Sequence, residues 1–118
     1  MPLLKIETTA DLSEEKKRAV LAALSPVVAA ILGKPEQYLM VTCARVAMMM
    51  SGSYDPTAWG DLRSIGGLSA AANVRLTQHI CRILQEHLGI PPERVYLNFT
   101  DVAPGNWGWN STTFAQDK

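Results

Sequence analysis

Proline 2, near the start of "MPLLKIE", is the residue whose type and place could do chemistry. It stands at the first position of what reads as a strand, where proline has no N–H to give to a ladder. Two readings follow. Strand beginnings tolerate proline, so Pro2 can be a plain edge residue. Alternatively, removal of Met1 exposes a secondary amine that the strand holds rigidly. A terminal amine has a pKa of about 8 in water, so part of it is neutral at physiological pH. Apolar surroundings or a neighbouring cation disfavour the protonated form and lower the pKa further. A neutral amine so placed can take a proton from carbon beside a carbonyl and return it to oxygen or to another carbon. The pyrrolidine ring fixes the nitrogen, so little entropy is lost in aiming it.

Other chemistry-bearing residue types are less suggestive. His79 and His87 fall eight positions apart on one helix face, too far for a common metal, and read as solvated. Cys43 and Cys81 fit no metal-ligand or C-x-x-C spacing. They read as two buried free thiols in a reducing compartment, with a single disulfide as the alternative. Arg75, His79 and Arg82 make a basic stripe too small for nucleic acid. "NFT" and "NST" match the N-glycosylation pattern, but the first lies in a strand and no secretory signal accompanies them.

The totals describe one domain, residues 1–118, with an ordinary globular balance: 47% hydrophobic and 19% charged residues. Eleven basic and eleven acidic residues cancel, which argues against a general field for nucleic acid or an anionic membrane. The start "LLKIETTADLSEEKK" lacks an uninterrupted apolar core, and no run approaches the ~20 apolar residues of a membrane span. The expected location is cytoplasmic, with signal-less secretion left open.

The elements that must position Pro2 repeat. A strand at 3–8 leads to a helix capped by Ser13, with Glu14 and Glu15 at its positive end. Val20, Leu24, Val27 and Ile31 form its apolar stripe, Pro26 should kink it, and Gly33 ends it. "QYLMVTCARVAMMM" is expected as a strand, its three methionines (48–50) packing flexibly around the end, and "TAWGDLRSIG" as the next. Ser69 caps a second helix with Leu76, Ile80, Ile83, Leu84 and Leu88 on one side and Gly89 at its end. "RVYLNFTDV" is the fourth strand, and a loop containing "NWGWN" follows. "LGKPEQYLMV" and "LGIPPERVYL" echo each other, so the chain reads as two β-α-β units of about 55 residues. The fold class is α+β, with both helices on one face of a four-stranded sheet. Leu39, Val41 and Cys43 alternate with Met40, Thr42 and Ala44, so that segment, taken as a middle strand, is apolar in either register. The bare face is therefore expected to be apolar and covered by further copies of the chain.

"MPLLKI", "LGKPEQYLMV", "MSGSYDP", "RSIGGL", "GIPPERVYLNFTD" and "GWNSTTF", in this order over nearly the whole chain, resemble the macrophage migration inhibitory factor family of the tautomerase superfamily. The resemblance implies a homotrimer whose sheets form a central β-barrel. It also implies Pro2 as general base and keto–enol tautomerase (isomerase) activity on phenylpyruvate-type, and further dopachrome-type, substrates, without cofactor or metal. It implies Lys34 of "GKP" as a cation beside Pro2 that holds the amine neutral and binds a carboxylate or enolate oxygen. Ser64 and Ile65 match a segment whose backbone meets substrate. Tyr96 and Asn98 match residues that reach the pocket from a neighbouring subunit, and Tyr38, Trp109 and Phe114 match its aromatic rim. Without the resemblance, Lys34 is a solvated turn lysine, Ser64 and Ile65 an ordinary turn, and Tyr96 and Asn98 one polar strand face. The three aromatics would then be core or interface residues.

The chain also departs from the family. "TAWG" stands where vertebrate cytokine members carry C-x-x-C, so thiol-redox chemistry is unsupported. Arg63 replaces a His, and Trp107 a smaller aliphatic residue; both bear on substrate preference more than on mechanism. The alternatives to the isomerase are a cytokine-like binding protein with vestigial catalysis, and hydration or dehalogenation chemistry. The latter needs an Arg, for which Arg63 is a candidate, and an acidic partner that the sequence does not single out.

Overall fold

A computed structural model describes residues 1–115. Strand β1 is Pro2–Thr8, helix α1 Glu14–Leu32, β2 Met40–Arg45, β3 Ala58–Ser64, α2 Ala70–Leu88 and β4 Val95–Asp101. The sheet order is β2-β1-β3-β4. β1 pairs parallel with β2 and antiparallel with β3, and β3 pairs parallel with β4. Each parallel pair is joined through a helix, so the chain is two β-α-β units related across the β1–β3 seam.

Both helices form for the local reasons the sequence offers. Ser13 and Ser69 accept hydrogen bonds from the backbone N–H groups of Lys16 and Ala72, satisfying donors the first turn leaves free. Gly33 and Gly89 close the helices in the left-handed region, at φ 68° and 69°. α1 continues as one helix through Pro26 and ends at Gly33 as expected. Pro26 and Ala22 both face solvent, where water can satisfy the carbonyl that proline leaves without a partner. Val20, Leu24, Val28, Ala29 and Leu32 are its buried residues, so the stripe sits slightly rotated from the expected one, and Val27 and Ile31 are half-buried.

The core lies between the helices and one face of the sheet. Leu4 and Ile6 of β1, Leu62 of β3, Val20, Leu24 and Val28 of α1, and Leu76, Ile80 and Leu84 of α2 are fully buried. Each such side chain is worth ~1.5–3 kcal/mol of burial. Gly60 is the thin point of this layer: a Cβ there would strike Leu97, so the position admits no side chain without displacing it.

The other sheet face differs from expectation. The middle strands are β1 and β3, and β2 is an edge. Their outward residues are Leu3, Lys5 and Glu7 against Arg63, Asp61 and Trp59. Lys5 pairs with Glu7 at 3.7 Å and Arg63 with Asp61 at 3.2 Å. The bare face is thus largely polar, and the apolar face expected from β2 is corrected, because the alternation in β2 lies at the sheet's margin. The expected central β-barrel is also corrected. The sheet is open, with β2 and β4 as free edges, and four strands are about half of what the smallest filled barrels need.

Two further boundaries differ. Glu36–Tyr38 forms a 3-10 turn before β2, which is shorter than expected. The "NWGWN" loop is a small hairpin of β5 (Gly108–Trp109) and β6 (Thr112–Thr113). Its turn residues Asn110 and Ser111 both adopt positive φ, as a tight two-residue hairpin requires. Cys43 and Cys81 are both free thiols, the first half-buried and the second buried, and burial pushes both above the ordinary thiol pKa.

Candidate active site

The first residues of β1 meet the 37–40 segment and the C-terminal hairpin around a cavity of ≈ 340 Å³. Met1, Pro2 and Leu3 form its floor, Gln37, Tyr38, Leu39 and Met40 one side, and Trp107, Gly108, Trp109 and Phe114 the other. Local structure explains the convergence. The parallel register sets Leu3 beside Met40, and the Phe114 N–H donates to the Trp107 carbonyl at 3.2 Å, folding the hairpin back over the sheet end. Trp109 stacks on Phe114 with centroids 5.4 Å apart, and Tyr38 meets Trp109 edge-on at 6.4 Å. Each pairing adds ~0.5–1.5 kcal/mol beyond area burial.

The electrostatics at this end follow from burial. Pro2 is buried, and partial burial, with the Lys34 ammonium adding repulsion, holds the Met1 amine below the usual value for a chain terminus. Lys34 follows the left-handed Gly33, and its N–H donates to the Ala29 carbonyl at 3.0 Å. Its ammonium lies over Gly66, 3.8 Å from where a Cβ would stand on that residue.

Of the residues singled out from the sequence, Pro2, Tyr38, Trp109 and Phe114 therefore share one cavity, and the Lys34 charge reaches the amine at its floor. Ser64 is opposite Pro2 in the antiparallel register, but its hydroxyl is buried and donates to the Gly66 carbonyl at 2.7 Å, so its side chain serves the turn. Ile65 is half-buried in the same turn. Tyr96 and Asn98 are exposed on the outward face of β4. Tyr96 pairs with Trp59, which in turn faces Glu7, five positions along β1 from Pro2. One chain does not bring them to its own cavity.

Further contributors were not anticipated. Gln37 and Met40 line the cavity, and no spacing signal marked them. Asp101 accepts a hydrogen bond from the Gly66 N–H at 3.0 Å and so pins the turn beneath Lys34. Its place at the end of "VYLNFTD", level with Ser64, is the signal that could have found it. A cavity of ≈ 450 Å³ at the opposite sheet end is lined by Thr9, Arg45, Val46, Ala47, Met48 and Tyr54. Its cation is already paired, Arg45 with Asp11 at 3.1 Å. Among the described residues no cluster of three or more His, Cys, Asp or Glu could hold a metal, and no helix is long and apolar enough to cross a membrane.

Comparison with known proteins identifies the family and matches the fold. A family model described as macrophage migration inhibitory factor matches residues 1–115. The macrophage migration inhibitory factor of Meriones unguiculatus is 36% identical over 116 residues, covering 98% of this chain and all of that protein. The crystal structure of a homologue from Prochlorococcus marinus superposes with a TM-score of 0.90 at 34% identity, over 95% of this chain and 98% of the other. A similar protein from Entamoeba histolytica gives a TM-score of 0.91 at 29% identity, over 96% and 98% of the two chains.

Proposed function

Since the chain belongs to the macrophage migration inhibitory factor family of the tautomerase superfamily, which supports a tautomerase-type, isomerase-like role, we propose that it interconverts keto and enol forms of phenylpyruvate-type acids, and of dopachrome-type compounds as a second set. The observation that carries this reading is a buried Pro2 at the floor of an aromatic cavity, where burial and Lys34 already depress a terminal amine.

In this proposal Met1 is removed and the Pro2 nitrogen becomes the base. The neutral amine takes the proton from the carbon or enol oxygen of the substrate and returns it to the other position. Lys34 holds the substrate carboxylate or the developing enolate oxygen, whose charge grows in the transition state. The backbone at Ser64 and Ile65 borders the reacting end. Tyr38, Trp109 and Phe114 bind the aromatic ring and exclude water, which strengthens the Lys34 interaction. Tyr96 and Asn98 complete the site from another copy in a homotrimer, because their own chain holds them away from its cavity.

The test is ketonisation of enol-phenylpyruvate by protein whose intact mass shows loss of Met1. Pro2→Gly should lower kcat/KM by at least ~100-fold, the usual share of a positioned base. Equal rates in Pro2→Gly and wild type would refute Pro2 as base. No turnover of several aryl enols by the processed wild type would refute the enzyme and favour a binding protein.

A further inference from the structure

A second cavity, of ≈ 300 Å³, adjoins that of Pro2 and is lined by Leu3, Arg63, Val102, Asn106, Trp107 and Gly108. Leu3, Trp107 and Gly108 line both, so the two cavities share one wall. Arg63 lies directly across the sheet from Leu3, with its side chain on the outward face. One of its nitrogens donates to Asp61 at 3.2 Å, its only side-chain hydrogen bond among the described residues. That contact orients the planar guanidinium and leaves its remaining donors for another acceptor. Asn106 adds an amide to the same walls.

We infer that Arg63 and this cavity form a second anion subsite, which takes the distal carboxylate of a dianionic 2-oxo acid bound across the Leu3–Trp107 wall. The inference rests on the tautomerase reading for its substrate's other end. A single-carboxylate acid such as phenylpyruvate uses its only charge at Lys34 and leaves the Arg63 cavity to water. A longer acid with a carboxylate on the far side of its ring offers Arg63 the bidentate partner its geometry fits. Trp107 supplies an apolar surface between the two charged ends.

Calorimetric titration of the Met1-free protein with phenylpyruvate and with its para-carboxylated analogue tests this, alongside turnover of both. The dianion should bind about tenfold more tightly than the monoanion, as expected for hydrogen bonds between charged groups. Arg63→Gln should bring that ratio close to one. Arg63→Lys should retain part of it, since the charge stays but the fork is lost. Arg63 is exposed in the single chain, and its pair with Asp61 is a surface one that adds little stability, so melting temperatures should change little in both variants. Equal wild-type affinities, or a ratio that Arg63→Gln leaves unmoved, would overturn the subsite. Loss of turnover with a persisting affinity ratio would refute the catalytic reading alone and leave the subsite standing.

Discussion

At the residue scale the informative pair is Pro2 and Lys34. Protonating an amine at the head of β1 would set a second cation near Lys34, and the depressed Met1 amine already registers that repulsion second to burial. In the proposed mechanism the neutral amine is the active form of the base, so activity should fall as pH drops through its pKa. Lys34→Ala removes a cation and therefore raises that pKa. The acidic limb of the kcat/KM profile, which reports the free enzyme, should move to higher pH. Binding of carboxylate substrates should weaken about tenfold at the same time. A weaker KM with an unmoved limb would make Lys34 a substrate anchor only. Pro2 was only partly legible: proline at a strand head is chemically odd, but the residues alone suit a plain edge proline as well, and the resemblance made it the candidate base. Lys34 was not legible: a lysine after a helix-ending glycine is ordinary, and only its folded position over Gly66 distinguishes it.

At the element scale the turn between β3 and α2 decides where Lys34 and the head of β1 meet. Gly66 and Gly67 both have positive φ, at 73° and 80°. A Cβ on Gly66 would meet only Lys34 Nζ, whereas one on Gly67 would stand 2.7 Å from the Leu32 carbonyl oxygen. Gly66→Ala should cost the ~1–2 kcal/mol of a left-handed residue. Gly67→Ala adds a clash with backbone that cannot swing aside, for ~2–4 kcal/mol together. Chemical denaturation checks the order, and similar losses for the two would contradict it. The caps at Ser13, Gly33, Ser69 and Gly89 were readable because each acts on neighbours within a few residues. Strand order was not readable. β2 alternates apolar residues in both registers, yet it lies at the edge, and the charged outward side chains of Lys5, Glu7, Asp61 and Arg63 became one surface only when β1 and β3 paired. The terminal hairpin was missed because Asn110 and Ser111 turn it without a glycine at either position.

At the scale of the whole molecule, a single chain leaves its proposed site incomplete. Pro2 opens into its cavity at one end of the sheet, while Tyr96 is 65% exposed near the other, on the outward face of an edge strand. The edges β2 and β4 carry unpaired backbone groups, and Met40 on β2 is 64% exposed, so both margins suit contact with another copy. If Asn98 serves a neighbour's cavity, two inactive variants should repair each other. Pro2→Gly chains keep Asn98 and Asn98→Ala chains keep Pro2. Unfolded together in equal amounts and refolded as trimers, they place an intact Pro2 beside an intact Asn98 in about a quarter of sites, by random mixing of two chain types. Activity of the mixture should therefore rise to about a quarter of wild type, well above either variant refolded alone. Native mass spectrometry of the same sample counts the chains and confirms that mixed assemblies formed. Mixed trimers with no gain in rate would place Pro2 and Asn98 in separate roles, and a monomer at micromolar concentration would remove the shared site altogether.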